Sequence, residues 1–189
     1  MKSIFTLLFF SLLFSSFCIA QKDTPCTQKA GVYKNYSDFI LNSFSDSICL
    51  TSKGDNIRLG NNSVIKMFSS SGDKKTYPLG EIFAYCDGKD KYRYFYDDKN
   101  EGGLLGYFKI ENEKGIIIYS QWNLHGGTTY YFSKDFESPV KTLSKLNIER
   151  DYTNEDFIKE IKGLKELNKN RESALQLSSL YKKYYPAIK

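Results

Sequence analysis

The chain predicts an α+β fold, an antiparallel meander sheet carrying a short N-terminal helix and two C-terminal helices packed on it. Three observations point there. Short runs rich in Tyr, Phe and Ile recur along the middle of the chain, separated by Gly, Asp and Asn turns. No helix of crossover length separates these runs, which disfavours a parallel sheet. Beyond Pro139 the pattern changes to helical spacing. Whether the sheet stays open or closes partly into a barrel is not fixed by these signals.

The 189 residues open with Lys2, an almost wholly apolar run from Ile4 through Phe14, and Cys18-Ile19-Ala20 before Gln21. This is the pattern of a secretory signal peptide cleaved near Ala20, with the mature chain exported to the periplasm or beyond the cell. A retained anchor would need about 18 uninterrupted apolar residues, and Ser11, Ser15 and Ser16 interrupt the run. A lipidated Cys18 would call for a small residue before it, where bulky Phe17 stands. Export argues against nucleic acid as partner, against cytosolic cofactors and against a transmembrane segment after cleavage.

Residues 21–30 read as an irregular polar lead and 31–189 as a single domain, with strands to residue 138 and helices from 139. Gly31-Val32-Tyr33 leads into a helix over Tyr36, Phe39, Ile40 and Phe44, capped by Ser37. Strands are expected from Ser47 to Thr51, Asn56 to Leu59, Val64 to Ser69 and Glu81 to Cys86. They continue from Lys91 to Tyr96, Leu104 to Ile110, Gly115 to Trp122 and Thr128 to Ser133. Thr153-Asn154-Glu155-Asp156 starts one helix, with Phe157, Ile161 and Leu164 on its apolar side. A second, from about Glu172 to Tyr184, carries Ala174, Leu177, Leu180, Tyr181 and Tyr184 and ends before Pro186.

The basic excess lies beyond Pro139, where 11 basic side chains accompany 7 acidic ones. A solvated helical face explains it, with an acidic partner or anionic lipid as the sharper alternative. Cys26, Cys49 and Cys86 follow the leader. An oxidising compartment permits one bridge in any of three pairings; the balance leans slightly to none, with Cys49 and Cys86 as small buried residues. Zinc is disfavoured by the single histidine and the lack of a Cys-x-x-Cys pair. The aspartates Asp87, Asp90, Asp97 and Asp98 suit turns better than a calcium loop, since Lys99 falls where a ligand belongs.

Two groups of residues could carry function. Tyr92, Tyr94 and Tyr96 alternate along one strand and so share a face. With Trp122 they could stack on a glycan or hold an envelope protein. The same tyrosines would serve as a core face under the C-terminal helices, leaving Lys91, Arg93, Phe95 and Asp97 to solvent. His125, beside Gly126-Gly127, is a weak catalytic candidate with Cys86 as nucleophile, though two glycines are also ordinary hairpin chemistry. No local signature singles out a carboxylate pair.

The segments Gly31–Phe39 and Gly80–Lys89, together with the helical tail, resemble a group of small uncharacterised exported proteins of Bacteroidetes-type bacteria. Those proteins open with a glycine, an aromatic and a Tyr-x-x-Phe-like helix, continue through an aromatic strand ending Asp-Gly-Lys and a tyrosine strand, and close with helices. The tail departs in lacking an asparagine-rich end. The resemblance implies export and this fold; it implies no activity, cofactor or metal. The resulting expectation is a non-enzymatic binding or interaction module of the cell envelope. The alternative is a hydrolase-like secreted enzyme using carboxylates or a Cys–His pair.

Overall fold

The computed structural model describes residues 26–60, 64–97, 104–123 and 126–186. The expected signal segment with Cys18 and Ala20, and also Asp98 and His125, lie outside them. Eleven strands appear among the described residues: β1 (Lys29–Tyr33), β2 (Asp46–Cys49), β3 (Asn56–Leu59), β4 (Ile65–Phe68), β5 (Lys74–Tyr77), β6 (Ala84–Cys86), β7 (Lys91–Asp97), β8 (Leu104–Asn112), β9 (Ile117–Asn123), β10 (Gly127–Ser133) and β11 (Lys141–Thr142). Helix α1 (Tyr36–Ile40) follows β1; α2 (Lys145–Asp151), α3 (Glu155–Gly163) and α4 (Arg171–Tyr184) close the chain.

The predicted α+β class is observed. Eight strands form one antiparallel sheet in the order β11-β10-β9-β8-β7-β6-β1-β2, and β3-β4-β5 form a second, smaller sheet. From β6 to β11 the large sheet is a meander. It does not close into a barrel: β2 and β11 are its free edges, and a two-residue β11 offers too few backbone groups to pair with the far edge.

Four details depart from the sequence expectation. First, Lys29–Tyr33 is a strand beginning inside the expected lead, and it lies between β6 and β2. Gly31 permits this, because a Cβ there would lie 2.5 Å from the Asp46 carbonyl oxygen and 2.7 Å from the Phe44 ring. Second, β5, β11 and α2 are additional; α2 is a seven-residue helix with one buried residue, Ile148, too short to show a periodic stripe. Third, Asn35 caps α1 in place of Ser37, accepting from the Asp38 N–H at 2.9 Å. Fourth, Cys26 and Cys49 form a disulfide, which leaves Cys86 free. The bridge ties the segment entering β1 to edge strand β2, and the Leu50 N–H continues the pairing to the Gln28 carbonyl at 2.8 Å.

The large sheet divides the core. On its closed face Tyr33, Phe95, Phe108, Ile110 and Tyr119 pack with Phe39 of α1 and with Phe136 and Val140. The opposite face is covered in two separate places. Over β9 and β10, Ile116, Ile118, Tyr130 and Phe132 meet α2, α3 and α4 through Ile148, Phe157, Ile161 and Leu177. Over β1 and β6, Val32 and Tyr85 meet Ile57, Ile65, Met67 and Tyr77 of the small sheet. This accounts for the unbroken apolar run Ile116–Tyr119, since β9 starts where both faces are covered. Gly115 marks the tightest helix contact: its φ is +78°, and a Cβ would meet the Tyr181 ring of α4 at 2.7 Å.

Candidate functional site

Between the small sheet and the helices the second face of the large sheet is left uncovered, and a cleft of about 650 Å³ opens there. Strand register builds its floor. Tyr92 pairs with Lys109, Lys109 with Ser120 and Ser120 with Tyr130, so one rung runs Tyr-Lys-Ser-Tyr across β7 to β10. The neighbouring rung carries Tyr107 and the pair Trp122–Thr128. Leu59 from β3 and Arg171 from the start of α4 stand at the sides, and Tyr85, Leu105, Gly106, Glu111 and Gln121 also line it.

Its charges balance internally. Lys109 Nζ lies 3.2 Å from Asp90 and 3.8 Å from Glu111. Glu111, with a side chain only 7% exposed, receives Arg171 Nη2 at 3.0 Å and Nε at 3.2 Å, and Ser120 Oγ at 2.8 Å. The phenols stay neutral: burial, foremost, raises Tyr85, Tyr92, Tyr107 and Tyr130 above the usual tyrosine value. Tyr92 also donates to Asp87 at 3.2 Å and stacks on Tyr85 with ring centres 4.6 Å apart. The floor therefore sets half-buried Tyr92 beside a compensated ion network, with Tyr85, Tyr107 and Tyr130 buried beneath. Trp122 stands out against it, 68% exposed, with exposed Leu59 and Leu105 nearby on the rim.

Of the residues singled out from sequence, Tyr92 and Trp122 come together in this cleft. Tyr94 is half-buried against Tyr107 with ring centres 5.4 Å apart, and Tyr96 is exposed opposite Leu105. Neither lines the cleft. The tyrosines are not under the C-terminal helices; Tyr92 and Tyr94 pack toward the small-sheet core. The face assigned to solvent is the more buried one, with Arg93 8% and Phe95 9% exposed. Three rings explain it: the Arg93 guanidinium lies 4.4 Å from Phe95, 4.8 Å from Phe83 and 5.7 Å from Phe136, and Nη1 donates to the Tyr119 hydroxyl at 3.1 Å.

Cys86 follows Tyr85 in β6 and so faces the other side of the sheet, toward the closed core. Burial pushes its thiol up, the reverse of an activated nucleophile. Asp87 acts as a turn residue, its Oδ1 accepting from the Lys89 and Asp90 N–H groups. The Gly126 N–H closes a turn onto the Asn123 carbonyl, as hairpin chemistry requires. Among the described residues no three His, Cys, Asp or Glu side chains group as a metal site would need, and no helix is long and apolar enough to cross a membrane.

Sequence reasoning missed Lys109, Glu111, Ser120, Tyr130 and Arg171. Carrying the alternation of β7 across to β8, β9 and β10 would have grouped the first four; Arg171 arrives from 60 residues away in sequence from Glu111 and has no local signal. In comparisons with known proteins, no family model, curated protein or solved structure matches the chain.

Proposed function

We propose that the protein is a non-enzymatic binding module of the cell envelope, exported after cleavage near Ala20, with the cleft on the large sheet as its contact surface. The observation that carries this reading is Trp122, a large aromatic left mostly in water at the rim of a concave floor. The Cys26–Cys49 bridge is compatible with an oxidising compartment and so with export. Binding is favoured over hydrolysis by the state of the polar groups. Glu111 is the one carboxylate among the cleft's described lining residues, and Arg171 and Ser120 already hold it. Paired carboxylates facing each other across a substrate have no counterpart in that lining.

Site-directed photocrosslinking in exporting cells tests the proposal. A photoreactive phenylalanine analogue in place of Trp122 is expected to give a discrete adduct. The same analogue in place of Leu41, which is 76% exposed beside α1 on the closed-face side, is expected to give none. Equal yields from both positions, or none from either, would remove the cleft from consideration.

A further inference from the structure

We infer that the ligand of this cleft is an uncharged, hydroxyl-rich chain of sugar rings, an inference that rests on the cleft being the contact surface. Four features of the site select that chemistry.

The first is the pairing of flat apolar faces with hydrogen-bonding groups. A pyranose ring carries an apolar C–H face and a rim of hydroxyls. Trp122 supplies the exposed aromatic face, with half-buried Tyr92 at one end of the adjacent rung and buried Tyr130 at the other. Ser120 and Thr128 stand among them as donors and acceptors.

The second is charge. Lys109 faces Asp90 and Glu111, and Arg171 faces Glu111. An anionic or cationic ligand would have to compete with these pairs. A hydroxyl need not, because a carboxylate accepts more bonds than Ser120 and Arg171 supply, and the guanidinium keeps N–H groups beyond the two spent on Glu111.

The third is extent. Four strands make the floor, so Tyr92 and Tyr130 stand about 14 Å apart at ordinary strand spacing, and the cleft volume of about 650 Å³ exceeds what one small solute fills. The site is shaped for several linked rings.

The fourth is the absence of a peptide-like handle. The floor strands β7, β8, β9 and β10 are internal to the sheet and paired on both sides, so an extended peptide cannot add to them by backbone bonding.

Trp122 is the only tryptophan in the chain, which makes its emission a reporter of this one site. The test titrates the oxidised protein with the linear hexasaccharides of β-1,4-glucose, α-1,4-glucose, N-acetylglucosamine, xylose and mannose. The expected result is a saturable change in Trp122 emission with at least one of them, nearly the same at low salt and at about 0.5 M salt. Glu111→Gln and Thr128→Val are each expected to weaken that titration at least about tenfold. Both variants keep the reporter, and their circular dichroism is compared with wild type. Trp122→Ala, followed by calorimetry, is expected to abolish the binding heat.

No emission change with any of the five at about 5 mM, where even a millimolar site is mostly filled, would overturn the inference. So would a response abolished by salt, or one that Glu111→Gln and Thr128→Val both leave unchanged while folded. The photocrosslink at position 122 separates the two levels. Adducts there without a saccharide response leave the cleft as the contact surface and discard the sugar; the loss of both discards the cleft as well.

Discussion

The two faces of the large sheet are built from the same strands and end in opposite states. On the closed face β7 contributes Arg93 and Phe95, 8% and 9% exposed, inside an aromatic cluster. On the other face the same strand contributes Tyr92 and Tyr94, half-buried, and Tyr96, 67% exposed. Polarity alone would have assigned them the other way round. The closed face is packed into one aromatic cluster with α1, Phe136 and Val140. The open face is sealed at two ends by unrelated elements, and the interval between them is the cleft. A residue's fate here follows the layer above it more than its own character: a guanidinium is buried because rings surround it, and an indole is exposed because nothing covers it.

Substitutions that contrast the faces should spread widely in cost. The largest expected effect is on the closed side. Phe108 is fully buried between Phe95 and Tyr131, with ring centres at 5.3 and 5.1 Å. Phe108→Ala is expected to cost about 3–5 kcal/mol, read as a drop in the denaturant midpoint at constant slope. Next comes the disulfide. Cys26→Ser should cost about 3 kcal/mol for a loop of 23 residues' separation, while Cys86→Ser should cost much less; equal costs would mean that the bridge constrains nothing.

Arg93 separates charge from shape. Arg93→Ala removes both and should cost about 2–3 kcal/mol. Arg93→Met keeps most of the volume and should come within about 1 kcal/mol of wild type. If the two variants are equally damaging, the guanidinium's charge is essential, and the rings and the Tyr119 hydroxyl hold it more firmly than packing alone implies.

A smaller effect is expected in the loop before β3. Asp55 accepts from the Ser70 N–H at 2.6 Å, from the Ser52 N–H at 2.8 Å and from both the N–H and the hydroxyl of Thr51. These bonds, Ser70's first, hold its carboxyl well below the usual aspartate range. The folded pKa is thus below the unfolded value of about 3.9. The stabilisation is complete above that value and is lost as pH falls through and below it. Melting temperatures taken from about pH 6 down to about pH 3 should fall less steeply in Asp55→Asn than in wild type, from a lower starting point. The smallest stability change should come from the open face. Trp122→Ala is expected to alter stability by no more than about 0.5 kcal/mol. A loss comparable to that of Phe108→Ala would show that the indole is structural and that the cleft is not an open surface.

Much of the fold was legible. The runs that became β3, β4 and β7 to β10 are bounded by turn residues, and the stripe Ala174, Leu177, Leu180, Tyr181 and Tyr184 marks α4 closely. What escaped was short or mixed in composition. Lys29–Tyr33 begins with a lysine and sits beside a cysteine-bearing polar stretch, so nothing local marks it as a strand in mid-sheet. Lys74–Tyr77 is exposed at its first three positions and shows no apolar alternation. The site was half legible: alternation placed Tyr92, Tyr94 and Tyr96 on one face, and Trp122 was named as a binding candidate. The preference for burying that tyrosine face rested on the character of Arg93, which the aromatic cage reverses.

The sequence by itself determined the local grammar of this protein: which segments extend or coil, where they turn, and which side chains share a face. Those follow from backbone propensity, capping, and periods of two and 3.6, all set within a few residues. Only the tertiary structure decided which face is closed, that Cys26 meets Cys49 and not Cys86, and that Arg171 reaches Glu111 to complete the cleft. These outcomes depend on which distant element covers a given patch of sheet. That choice is made by the burial of whole layers at once, and no single segment carries it.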